Sequence, residues 1–170
     1  HSMGGLVARH YSENMHGRDN ILGIVHGVMP DLGSPAAYRR MKTGERGIVG
    51  AVIGADAANL MPVLAQSPGP LQLLPGKAYG PGWLKINSGT ESVNKPESDP
   101  YTEIYLNESD WWRLCEKELL LDDIGNEWKS YQSRIKKDVE NFIEKLNGIY
   151  HPNTYAFYGA SEKHPSDDHL

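Results

Sequence analysis

An α/β fold is what this sequence predicts, and three stretches carry the expectation. The opening, HSMGGLVARHY, leads a segment with apolar residues at Met3, Leu6, Val7, Tyr11 and Met15, close to helical spacing. Next comes NILGIVHGV (20–28), an apolar, partly β-branched run with no gap for a solvated face. It reads as a strand buried in a parallel sheet. Much later, TYAFYG (154–159) alternates as another strand would. A helix starting after Ser2 and a strand from residue 20 fit one right-handed strand–helix–strand crossover.

The elements between follow from turn residues and periodicity. Gly17 stops the first helix. MPDLGSPAA (29–37) is a turn-rich loop leading into a basic segment, Tyr38–Arg46. GIVGAVIGADAANLMPVLAQ (47–66) mixes glycine with aliphatics and turns helical from about Ala55, with Pro62 either kinking that helix or marking its first turn. SPGPLQLLPGKAYGPGWLKI (67–86) holds four prolines and four glycines among leucines and aromatics, the composition of a cap or lid. The polar NSGTESVNKPESDP (87–100) is the candidate mobile insertion. From Asp110 the chain reads as helical, and Trp128, Tyr131, Ile135, Val139, Phe142 and Leu146 recur every three or four residues. Gly148 and Pro152 close that helix, and ASEKHPSDDHL is a polar tail. With no internal repeat, the expectation is one partial domain over 1–170, with 47–107 as a cap or lid insertion and 108–148 helical.

Composition narrows the function classes. The chain has 170 residues, 39% of them apolar, with a mean hydropathy of −0.54, enough for one domain with its own core. Its 17 basic and 22 acidic residues leave a net charge of −5, so nucleic acid is not an expected partner. No apolar run is long enough for a transmembrane segment. A single cysteine, Cys115, excludes an internal disulfide and a cysteine-cluster zinc site, and reads as a small buried hydrophobe. No His/Asp/Glu spacing suggests a metal, and no glycine loop suggests a phosphate, so neither metal nor cofactor is expected.

Ser2 is the residue on which function turns. A strand, a sharp turn carrying serine and then a helix form the nucleophile elbow, written G-x-S-x-G. Small residues two positions either side of the serine avoid collision with the neighbouring strand and helix. Here Ser2-Met3-Gly4 supplies S-x-G, and the helix signal starts directly afterwards. The competing reading is that His-Ser-Met is a remnant of an expression tag. Tag remnants commonly end Ser-His-Met instead, and none explains the Gly-Gly-Leu-Val-Ala-Arg that follows.

HSMGGLVARHY followed by ILGIVHGVMPDLGSPAA resembles the α/β-hydrolase lipases, whose elbow helix and next strand typically read G-H-S-M-G-G-L-V-A-R and G-T-P-H-x-G-S-P. The nearest type is that of bacterial lipases related to lecithin:cholesterol acyltransferase and the inositol deacylases, some of which are type VI secretion effectors. The likeness is good over 1–37 and moderate over 67–86, and it takes 150–160 as the strand before the acid loop. It implies the C-terminal portion of an α/β-hydrolase fold, starting at the elbow, with a helical cap. One departure stands out: Asp31 occupies the place where the family often has histidine.

The resemblance implies a serine carboxylic-ester hydrolase working through an acyl-enzyme on Ser2, with the Met3 backbone N–H in the oxyanion hole. His1 would line the site, as would Leu73 and Leu74 of the apolar cap. In the chain order Ser…acid…His, Asp167 or Asp168 is the candidate acid, with Glu162 behind them, and the histidine base is expected beyond Leu170. His164 and His169 read as part of the polar tail, His10 as a packed core histidine, His26 as a structural group near the site, His16 as a helix end and His151 as a loop residue. The implied partners are a lipid or other acyl-ester substrate and secretion-system components, with residence in the bacterial cytoplasm or export as an effector. The alternative is a non-catalytic, hydrolase-like binding domain.

Overall fold

In the computed structural model, which describes residues 1–44, 56–87, 89, 92–120 and 124–161, helix α1 (Met3–Asn14) begins directly after Ser2. It buries Gly5, Leu6, Arg9 and Ser12, whereas the apolar Met3, Val7, Tyr11 and Met15 are exposed. Close approach chooses that face. A Cβ at Gly5 would stand 2.7 Å from Met29 Sδ and 3.0 Å from His26 Nδ1, so glycine is what lets α1 settle on the strand beneath it.

That strand, β1 (Ile24–Gly27), pairs in parallel with β4 (Thr154–Phe157), from Ile24↔Thr154 to Gly27↔Phe157. Ile24 and His26 are buried, but Val25, Tyr155 and Phe157 are 67%, 70% and 62% exposed. The expectation of a strand with no solvated face is therefore corrected. Among the described residues α1 covers one face of this pair, and the other stays open.

Helix α2 (Pro35–Thr43) starts with proline at its first position and buries Tyr38 and Met41. Helix α3 (Ala57–Leu64) is capped by Asp56, whose carboxylate accepts the Asn59 N–H at 2.9 Å. Pro62 lies inside α3, beyond its first turn, and the helix runs on to Leu64. A single turn, α4 (Pro68–Leu71), follows.

Strands β2 (Leu84–Asn87) and β3 (Ser92–Lys95) form an antiparallel hairpin. Part of the expected mobile stretch is thus regular structure, for two reasons. Leu84 and Ile86 bury one edge of the hairpin. Beyond it, the Glu103 carboxylate accepts the backbone N–H groups of Glu97, Ser98 and Asp99 at 2.7, 2.8 and 2.9 Å. Burial alone would raise the Glu103 pKa, but these N–H groups and Lys95 hold it down at about 2.

Residues 110–120 are turns with one 3₁₀ turn, Lys117–Leu119, where the sequence reads as helix. The reason is local. Asn107 Oδ1 accepts the N–H groups of Ser109 and Asp110 at 3.0 and 2.9 Å, a side-chain turn that competes with helix formation. The long helix begins later, as α5 (Ile124–Arg134), and passes through a π-helical turn (Ile135–Glu140) into α6 (Asn141–Leu146). Trp128, Tyr131, Ile135, Val139 and Leu146 face inward as the periodicity requires. Gly148, at φ 69°, follows the helix end.

One hydrophobic core takes Met41 from α2, Met61 from α3, Leu84 from β2, Ile104, and Tyr131 and Ile135 from the long helix. Segments on both sides of residue 107 therefore share one packed interior. Cys115 is wholly buried in it, and burial pushes its thiol up to about 12, leaving it an inert hydrophobe.

Candidate active site

Ser2 has φ 51° and ψ −134°, a left-handed conformation that non-glycine residues rarely adopt. Its backbone N–H donates to the carbonyl of Gly27 at 3.1 Å, which places it at the carboxyl end of β1. It stands at the N-cap of α1, yet its hydroxyl makes no cap hydrogen bond. A serine that could cap the helix and does not, in a strained turn, has its hydroxyl available elsewhere. Met3 opens the helix, so its N–H is one of the first-turn donors at the positive end of the helix dipole. The crowding expected at Gly4 is not there. Among the described residues nothing lies within 4 Å of a Cβ at Gly4, and the tight glycine is Gly5.

Ser2 opens onto a cavity of about 530 Å³, within the usual range for a small-molecule site. Its wall continues through Val28, Pro30 and Ser34 to aliphatic side chains of α2, α3 and α4, and Leu73 and Leu74 belong to the same wall. The loop 28–34 is fastened to residues 73–76 by main chain. Ser34 N–H donates to Leu73 O at 2.8 Å, and Gly76 N–H donates to Leu32 O at 3.0 Å. Gly33 lies between them at φ 104°, where a Cβ would stand 2.4 Å from Leu74 O. No other residue satisfies both that conformation and that contact, which accounts for the glycine of Gly33-Ser34-Pro35.

His1 is exposed and lies outside the cavity lining. Asp167, Asp168, Glu162, His164 and His169 all fall outside the described residues. His10 is half-buried against the Phe142 ring, with centroids 5.2 Å apart, rather than within the core. His16 is an exposed helix end, and His151 is buried, its Nδ1 accepting the Asn153 N–H at 3.1 Å. Among the described residues no group of His, Cys, Asp and Glu could hold a metal ion, and no helix is long and apolar enough to cross a membrane.

Sequence reasoning missed a buried ionic cluster under the site. Arg9, 1% exposed, pairs with Asp31 and donates to the carbonyls of Leu146 and Ile149. Its guanidinium lies 4.0 Å from the centre of the Tyr150 ring, and the Tyr150 hydroxyl donates to Asp31. Burial and the Asp31 carboxylate both raise the Tyr150 pKa. Asp31, where the resemblance leads one to expect histidine, is thus the carboxylate partner of Arg9 on α1. The available signal was Arg9 four residues after Gly5, on the same face of α1.

His26 lies beside this cluster, buried under Gly5, and among the described residues its Nε2 has no hydrogen-bond partner. Burial pushes its pKa below 6.5, Arg9 lowers it further, and Asp31 opposes them. The unfolded chain therefore takes up a proton near pH 6.5 that the folded chain refuses. Stability is expected to be complete above that pH and to decline as pH falls below it. Denaturant unfolding of the wild type and His26→Asn between pH 7 and about pH 5 tests this. An identical slope in the variant would contradict the assignment.

No family model matches the chain, and no curated protein matches it. Among solved structures it is similar to a chain of one described as "The crystal structure of Tle4-Tli4 complex", with a TM-score of 0.79 and 34% sequence identity. The likeness covers 92% of this chain and 34% of that one, so this chain spans about a third of its neighbour's length. The two share the α/β arrangement of the region described above.

Proposed function

We propose that the polypeptide carrying this chain is a serine carboxylic-ester hydrolase of the lipase or phospholipase kind, acting through an acyl-enzyme on Ser2. The observation that carries the reading is a serine held at positive φ at the start of a helix, opening onto an apolar cavity. The S-M-G-G-L-V-A-R and G-S-P resemblance to the lipases supports it, and so does the likeness to a chain of the Tle4–Tli4 complex. The likeness to a chain of a two-protein complex also favours a protein partner, and the resemblance to lipases that include type VI secretion effectors favours export from a bacterial cell.

In this reading Ser2 Oγ attacks the ester carbonyl while a histidine takes its proton. The Met3 N–H then stabilises the oxyanion, the alcohol leaves with that proton, and water releases the acid. The orienting carboxylate is assigned to Asp167 or Asp168. Leu73 and Leu74 border the acyl group, and His1 flanks the nucleophile.

A fluorophosphonate ester probe tests the proposal on the full-length polypeptide. The expected result is stoichiometric labelling, with the modified peptide containing Ser2. Well-folded protein that stays unlabelled would leave a binding domain built on a hydrolase-like scaffold.

A further inference from the structure

The cavity wall is graded. Of the lining residues Val28, Arg40 and Pro70 are exposed and Ser2 is half-buried, so these form its open rim. At the other extreme Met41, Leu60, Leu71 and Leu74 are 2%, 7%, 1% and 2% exposed. This deep wall carries no polar side chain, whereas the polar residues of the lining, Ser2, Ser34 and Arg40, are all half-buried or exposed. An ester whose carbonyl is at Ser2 has two substituents, and only one can enter. A polar alcohol portion in the deep end would be desolvated without partners, so the hydrocarbon of the acyl group is the part that goes in.

One deep residue differs from the rest. Met41, Leu71 and Leu74 are members of the main hydrophobic core, and so is Met61, the neighbour of Leu60 on α3. Leu60 is buried but is not part of that core. Adjacent helical positions point about 100° apart, so Met61 packs α3 onto the protein while Leu60 is turned to the cavity. Its side chain can change size against free space rather than against packed neighbours.

Resting on the serine-hydrolase reading, we infer that Leu60 sets the length of acyl chain the site accepts. The measurement uses the full-length polypeptide and p-nitrophenyl esters from acetate to palmitate, comparing wild type with Leu60→Trp and Leu60→Ala. Near-ultraviolet circular dichroism reports folding independently of activity. The Trp variant is expected to lower the palmitate-to-acetate ratio of kcat/KM by roughly tenfold or more, since about one methylene of misfit already gives that discrimination. The Ala variant is expected to move the optimum toward longer chains. Destabilisation alone would scale all esters together, so opposite shifts support the inference.

Folded variants that both keep the wild-type chain-length profile would overturn it. Should Leu60→Trp fail to fold, Leu60→Ala decides, an unmoved optimum counting against the inference. Wild-type protein that hydrolyses none of the esters and takes no fluorophosphonate label would overturn the underlying reading, and the inference with it.

Discussion

Replacing Ser2 with alanine is expected to lower ester turnover by roughly 10⁴- to 10⁶-fold, the scale on which removing a triad serine acts. Alanine keeps the small side chain and the backbone, so no change in cavity shape accompanies the loss. Glycine at the same position should be equally inactive but more stable by about 1 kcal/mol, because the φ of 51° no longer strains a side chain. The two variants together separate chemistry from conformation. Kinetics on a short-chain ester, beside thermal unfolding of the three proteins, makes the comparison. An alanine variant within tenfold of wild type would remove Ser2 from the mechanism. A glycine variant less stable than alanine would contradict the strain.

Arg9→Ala is expected to destabilise the folded protein by about 2–4 kcal/mol, from the charge-assisted hydrogen bonds lost and the large side chain removed from the interior. Three acceptors lose a donor at once: the Asp31 carboxylate, which keeps the Tyr150 hydroxyl, the Leu146 carbonyl, which keeps the Ile149 N–H, and the Ile149 carbonyl. The truncation also leaves a space under α1, where Arg9 is 1% exposed. Asp31→Asn should be milder, about 1–3 kcal/mol, because that side chain is 32% exposed and keeps an oxygen for Tyr150. Urea unfolding followed by tryptophan fluorescence reads both. An Arg9→Ala effect below about 1 kcal/mol would show the cluster to be weakly coupled to the fold.

What could be read from the sequence is what local periodicity and local strain encode. The spacing from Trp128 to Leu146 located the buried face of the long helix, although a π-helical turn interrupts it. Thr154–Phe157 is a strand as its alternation suggested. The start of α1 directly after Ser2 was visible because it is written in adjacent residues. The buried face of α1 was not legible. Of its apolar series Met3, Leu6, Val7, Tyr11 and Met15 only Leu6 is buried, beside Gly5, which admits His26 of β1, and the charged Arg9. The helix expected from Asp110 gave way to an Asn107 side-chain turn, a competition that hydrophobic period cannot register. Arg9 and Asp31 meet only because tertiary structure brings a loop against α1, so neither residue announced the other.

The cavity has one rigid jaw and one adjustable jaw. On the loop side, Gly33 presses backbone against backbone at Leu74, so any substituent there displaces main chain and spoils the wall before it reshapes it. On the α3 side, the wall is made of side chains that can be exchanged. Randomising Leu60 should therefore yield folded proteins of varied selectivity, while randomising Gly33 should yield few folded proteins. If the proposed ester hydrolysis holds, its substrate range would be altered by redrawing one helix, with the opposite rim held constant as the reference edge.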